Sequence, residues 1–90
     1  MRISDKKKDK ISEQILAQLY DTNPRPIYTF HIAMELARDE EFVKKLLLKL
    51  KKKGFVIEIK KNSKGIPYIR RSRWKLGEET YKAYKQRQEY

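Results

Sequence analysis

The 90-residue chain carries 23 Lys and Arg against 12 Asp and Glu, a net charge of +11, with 39% hydrophobic residues and no cysteine. That length predicts one domain with a small core, and the lack of cysteine excludes disulfides and thiolate metal sites. No stretch has the apolar length of a signal peptide or of a membrane span, so an intracellular protein is expected.

The charge excess is large for the size and points to a polyanionic partner, either nucleic acid or an anionic membrane surface. It is also local. Residues 1–10 hold five cations against Asp5 and Asp9, a net of +3, and residues 49–75 hold eleven cations against Glu58 alone, a net of +10.

In chain order, residues 1–8 read as a basic flexible arm ahead of a single domain over 9–90. Ile11, Ile15, Leu16 and Leu19 recur at helical spacing, so a first helix is expected over about 9–20. "DTNPRP" ends it with breaker residues, and Ile27 and Tyr28 read as a short strand or an extended link. Thr29 is expected to cap a second helix, with Ile32, Ala33 and Leu36 on its buried face. Asp39 is the expected N-cap of a third helix, with Phe42 at N3 and Glu40 and Glu41 complementing the helix dipole. That helix runs to Lys53, where Gly54 stops it.

"FVIEIKK" alternates as a strand, "NSKG" is a turn, and "IPYIRRSRWKL" returns as a second strand. "GEETYKAYKQRQEY" is a last helix whose Tyr81, Tyr84 and Gln88 share a face. The order helix, helix, helix, strand, strand, helix makes the chain mainly α with a small β-hairpin, in the α+β class.

The third helix divides by phase. Val43, Leu46, Leu47 and Leu50 fall on the side that would build a core, while Glu41, Lys45, Leu48 and Lys52 fall on the other, with Lys44 and Lys49 near its edge. The second set forms a basic ridge of the width of a DNA major groove.

At this point "IAMELARDEEFVKKLLLKLKKKGFV" resembles the winged helix-turn-helix family. The residues that carry the resemblance are Ala33, Leu36, Asp39, Val43, Leu46, Leu50 and Gly54, and "WKLGEETYKAYK" is similar to the family's passage from the last strand into the last helix. It covers about residues 10–88 and is nearest to small archaeal and bacterial transcriptional regulators. The chain departs from the pattern at Ala37, where a glycine is usual and a tighter or more helical turn is therefore expected. It departs again at Arg38, a position usually aliphatic and half-buried.

The resemblance implies a sequence-specific or semi-specific duplex DNA-binding protein of the cytoplasm and nucleoid, a regulator of transcription. The third helix would enter the major groove and the hairpin, or wing, would meet the backbone or minor groove. The residues agree with this reading: Lys60, Lys61, Lys64, Arg70, Arg71 and Arg73 crowd the hairpin, beyond the one or two charges that edge protection needs. Lys6, Lys7 and Lys8 would form an arm reaching the minor groove. The last helix is a frequent dimer element in the family, so Tyr81, Tyr84 and Gln88 are candidate contacts of a homodimer or, equally, packing residues within one chain.

Bland readings stand beside these. Glu41 suits the helix dipole better than it suits readout of cytosine N4. Three readings fit Leu48 equally: a thymine methyl contact, a subunit contact and a lone exposed residue. Trp74 reads as core beneath the wing, and His31 has no ligand spacing.

There is no cysteine nucleophile, no histidine partner for a triad, no glycine-rich phosphate loop and no pair of carboxylates in an apolar setting, so no enzyme, cofactor, metal or small-molecule ligand is implied. The rival functions are a winged-helix adaptor that binds protein and an RNA-binding or architectural chromatin protein. A membrane role fits least, because the basic charge lies on a hairpin and not opposite a broad apolar helix face.

Overall fold

A computed structural model describes residues 5–60 and 72–88, the side chains of Asp5 and Gln88 excepted. The elements are α1 (Asp5–Thr22), β1 (Ile27–Tyr28), α2 (Thr29–Leu36), α3 (Glu40–Lys52), β2 (Val56–Ile59), β3 (Arg73–Leu76) and α4 (Glu78–Gln88). This is the expected order with one addition: Ile27 and Tyr28 form a true strand.

The three strands make an antiparallel sheet in the order β1-β3-β2. Ile27 faces Trp74 and Tyr28 faces Arg73 on one side, while Val56, Ile57, Glu58 and Ile59 face Leu76, Lys75, Trp74 and Arg73 on the other. Because side chains alternate along a strand, Trp74 and Leu76 point into the core and Arg73 and Lys75 point away from it.

The core is built from one face of each element. Ile11, Ile15, Leu16 and Leu19 come from α1, Ile32 and Ala33 from α2, and Val43, Leu46, Leu47 and Leu50 from α3. Ile27, Val56, Trp74 and Leu76 close it from the sheet. The phase division of α3 is therefore the observed one.

The structure corrects three local expectations. First, α1 starts at Asp5, so Lys6, Lys7 and Lys8 belong to its first turns and the arm expected over 1–8 is helical from Asp5 onward. Lysines lose little freedom in a helix, and Asp5 and Asp9 suit the positive end of its dipole.

Second, Thr29 is not a cap. Tyr28 occupies the N-cap position without a side-chain bond, and Thr29 is buried, with its hydroxyl accepting the Trp74 indole N–H at 2.8 Å. A buried indole needs an acceptor, and this pairing supplies it.

Third, Ala37 does not tighten the turn between α2 and α3. It takes the left-handed conformation itself, at φ 53° and ψ 44°. The Ala37 and Arg38 amides then donate to the carbonyls of Met34 and Ala33, at 3.1 and 3.0 Å. This is the helix ending that a glycine would give, at a cost of about 1–2 kcal/mol for the Cβ.

Two glycines set the junction at the far end of α3. Gly54 follows the C-cap at φ +84°, as expected of a C′ residue. Gly77, between β3 and α4, passes so close to it that a Cβ there would lie 2.9 Å from the Gly54 carbonyl oxygen. The Gly77 amide donates to the Phe55 carbonyl at 2.9 Å, which ties the entry of β2 to the exit of β3.

Candidate nucleic-acid interface

The start of α3 is held by Asp39, whose carboxylate accepts the Phe42 amide at 3.1 Å, as the sequence predicts. From there the helix presents Glu41, Lys44, Lys45, Leu48, Lys49 and Lys52 to solvent, all of them exposed. The acids sit in the first turn and the cations crowd toward the last, so the outward face carries a gradient of charge from negative to positive. Leu48 is 44% exposed in the middle of this face.

The flanks of α3 do different things. On one flank, Lys49 and Lys53 line an open cleft of about 790 Å³ that α1, the end of α3 and α4 share. Its apolar wall includes Leu16, Leu46, Leu50 and Phe55, and Lys8 reaches it from α1. On the other flank, Lys51 reaches β2 and donates to Glu58 at 2.8 Å.

Glu58 is the single acid of the basic stretch, and its side chain is only 4% exposed. Its carboxylate accepts from Lys51 of α3 and, through its other oxygen, from the Ser72 hydroxyl just before β3; Lys60 lies 4.0 Å away. Burial by itself raises the carboxyl pKa, but the hydrogen bonds from Lys51 and Ser72 and the charges of Lys51 and Lys60 outweigh it and hold the group below its ordinary range.

The remaining expected residues divide. Lys60 is exposed. Arg73 is half-buried and stands in the central strand between Tyr28 and Ile59, so it lies deeper in the sheet than the hairpin reading implied. Lys61, Lys64, Arg70 and Arg71 lie outside the described residues. Lys6 and Lys7 are exposed on α1, and Lys8 is half-buried.

Tyr81 and Tyr84 both pack on Tyr20 of α1, with ring centroids 5.4 and 5.9 Å apart. Burial raises the Tyr84 hydroxyl pKa, with Arg87 opposing and Glu13 adding to the rise. Gln88 ends α4, and its side chain lies outside the described residues.

Sequence reasoning missed Lys51, Ser72 and the burial of Glu58. The available signal was a lone acid among eleven cations. It also passed over Met34, which is 73% exposed on α2, and Ile57, 45% exposed on the outer face of β2.

No family model and no curated protein matches the chain. Solved structures do. The Staphylococcus aureus MepR–DNA complex superposes with a TM-score of 0.75 at 20% identity, covering 93% of this chain and 66% of that one. An apo form of a Lactococcus lactis ZitR mutant gives 0.71 at 20% identity, over 92% and 58%. A MepR mutant from a multidrug-resistant S. aureus isolate gives 0.69 at 21%, over 86% and 53%.

The fold is the winged helix-turn-helix. In its terms α2 and α3 are the helix-turn-helix, α3 holds the position that this fold names the recognition helix, and β2 and β3 are the strands of the wing. The chain spans between half and two thirds of the length of these three solved chains. Among the described residues, no helix is long and apolar enough to cross a membrane, and no cluster of His, Asp and Glu could hold a metal ion.

Proposed function

We propose that the chain binds duplex DNA as a regulator of transcription, with α3 in the major groove and the wing on the phosphate backbone. The observation that carries this reading is the outward face of α3. Four exposed lysines, Lys44, Lys45, Lys49 and Lys52, stand on a capped, core-anchored helix in a fold whose solved counterpart includes a DNA complex.

Lysines on such a face neutralise phosphates and release counterions, and this supplies sequence-independent affinity and steers encounter. Selectivity would come from the groove-facing centre of the helix. There Leu48 can touch a thymine methyl, and in the first turn Glu41 can accept from cytosine N4. Lys60 and the basic residues that follow it in sequence would hold the backbone. The protein acts by occupying DNA, with no reaction assigned to it.

Fluorescence anisotropy with labelled duplex across a salt series tests the reading. The expected result is a linear fall of log K with log salt whose slope reports several phosphate contacts, about 0.9 per contact. Replacing Lys45, Lys49 and Lys52 together by Ala should flatten that slope by about 2 to 3. Absence of binding at low salt would overturn the reading in favour of a protein-binding adaptor, for which exposed Met34 offers an apolar anchor. Equal competition by unrelated duplex would favour an architectural role, and stronger competition by RNA an RNA-binding one.

For α4, the stacking of Tyr81 and Tyr84 on Tyr20 supports packing within one chain. A homodimer would then have to use other faces. Sedimentation equilibrium with and without a two-half-site duplex tests this.

A further inference from the structure

Glu58 is out of place by charge and by position. Residues 49–75 hold eleven cations and no other acid, so a protein selected only for phosphate affinity gains nothing from a carboxylate there. It also points to the core side of β2. It sits directly opposite Trp74 in the ladder, on the face that Val56 and Leu76 share, yet at the rim, where the end of α3 passes over the sheet.

Its partners come from three separate segments. Lys51 belongs to the last turn of α3, Lys60 follows the end of β2, and Ser72 precedes β3. Continued by one more step on the same face, the β2–β3 register would set residue 60 opposite residue 72. One nearly buried carboxylate therefore touches the recognition helix, the point where the chain leaves the described sheet and the point where it returns.

We propose that Glu58 is a positioning residue that locks the root of the wing to the recognition helix, so that both meet one duplex in a fixed relative geometry. The proposal rests on the DNA-binding reading above for its consequence, though not for the lock itself. Lys51, at 2.8 Å, is the cation that the lock engages directly, and its charge goes to geometry more than to phosphate, while exposed Lys60, 4.0 Å from the carboxylate, still reaches the backbone. With the carboxylate neutralised, Lys51 loses its ion pair and the two ends of the wing lose their shared acceptor. Lys60 then reaches the backbone only at an ordering cost.

This makes a prediction of unusual sign. Simple electrostatics expects Glu58→Gln, which raises the net charge by one, to tighten DNA binding. The lock expects binding about tenfold weaker at fixed salt, with a log K versus log salt slope smaller by about 1 to 2, since wing contacts are lost and not gained. Trp74 fluorescence and circular dichroism establish the folded fraction at each condition. A merely structural role would lower that fraction and leave the slope untouched.

Tighter binding with a steeper slope, or affinity and slope both unchanged, would overturn the proposal. Should Glu58→Gln fail to fold, Ser72→Ala removes only the tie to the returning strand and should show the same weakening and flattening to a smaller degree; an unchanged slope there would overturn the proposal too. Amide exchange separates the two readings. If the unaltered protein binds no duplex, the DNA reading fails by itself. The lock is then judged by whether Ile59 and Arg73 exchange faster in Glu58→Gln while the amides of α1 and α3 do not, and unchanged exchange at both positions overturns it.

Discussion

Trp74 and Glu58 face each other across the β2–β3 ladder, yet they solve opposite problems. Trp74 is fully buried and neutral, and its one polar atom is answered by Thr29. Glu58 is nearly as enclosed but charged, and it is answered by groups from three segments, two of which reach back to solvent. The first pairing contributes to stability through apolar area and one satisfied hydrogen bond. The second gains little net stability, because desolvation of the carboxylate offsets most of the attraction of its partners. What it supplies is geometry. The two residues of one cross-strand pair can thus divide the work of holding a fold and aiming it.

The largest effects should fall on the Trp74 side. Trp74→Ala should cost about 3–5 kcal/mol, enough to unfold much of a domain this size, and urea denaturation followed by circular dichroism reads it directly. Thr29→Val keeps the shape but leaves the indole N–H unanswered. It should cost about 1–3 kcal/mol in the same assay, whereas a true N-cap threonine at an exposed helix start would show a smaller, solvent-buffered loss.

The turn gives an effect of opposite sign. Ala37→Gly relieves a left-handed alanine and should raise stability by about 0.5–1 kcal/mol after the extra freedom of glycine in the unfolded chain is counted. An unchanged or lower melting temperature would show that the turn carries no strain.

The Glu58 side should give the smallest stability effect and the only one tied to acid. Its folded carboxyl lies below the ordinary range, so its contribution is present in full above the carboxylate titration of the unfolded chain. That contribution is lost as pH falls through the folded value. In Glu58→Gln this part of the acid limb should disappear from a stability–pH profile measured by thermal melts, with the neutral-pH value lower only by the small amount which that limb spanned. A large loss at neutral pH would mean that the carboxylate is a main support of the core and would erase the contrast with Trp74.

Much of the fold was legible beforehand because its periodicities are local. The four apolar positions of α3, the Asp39 cap and the Gly54 stop are statements about residues within a few positions of one another. The same locality misled at Thr29. A threonine before an apolar run looks like a cap, but a tryptophan 45 residues away claims its hydroxyl. The start of α1 slipped for a related reason: lysines carry no hydrophobic period, so helix without an apolar face leaves no mark in the pattern.

For the candidate site, the sequence by itself determined the sign and the place of the charge. It placed a basic face on the outside of α3, since side-chain phase on a capped helix follows from spacing alone, and a run of cations in the sequence that follows. Only the tertiary structure decided what the individual charges are committed to. Lys51 and Lys60 look like the other lysines in the chain, and Arg73 like the arginines just before it in sequence, until β2 and β3 pair and α3 settles over their edge. Burial then turns Glu58 from one acid among many cations into the acceptor that several of them share, because a carboxylate removed from water must find its hydrogen bonds inside the protein.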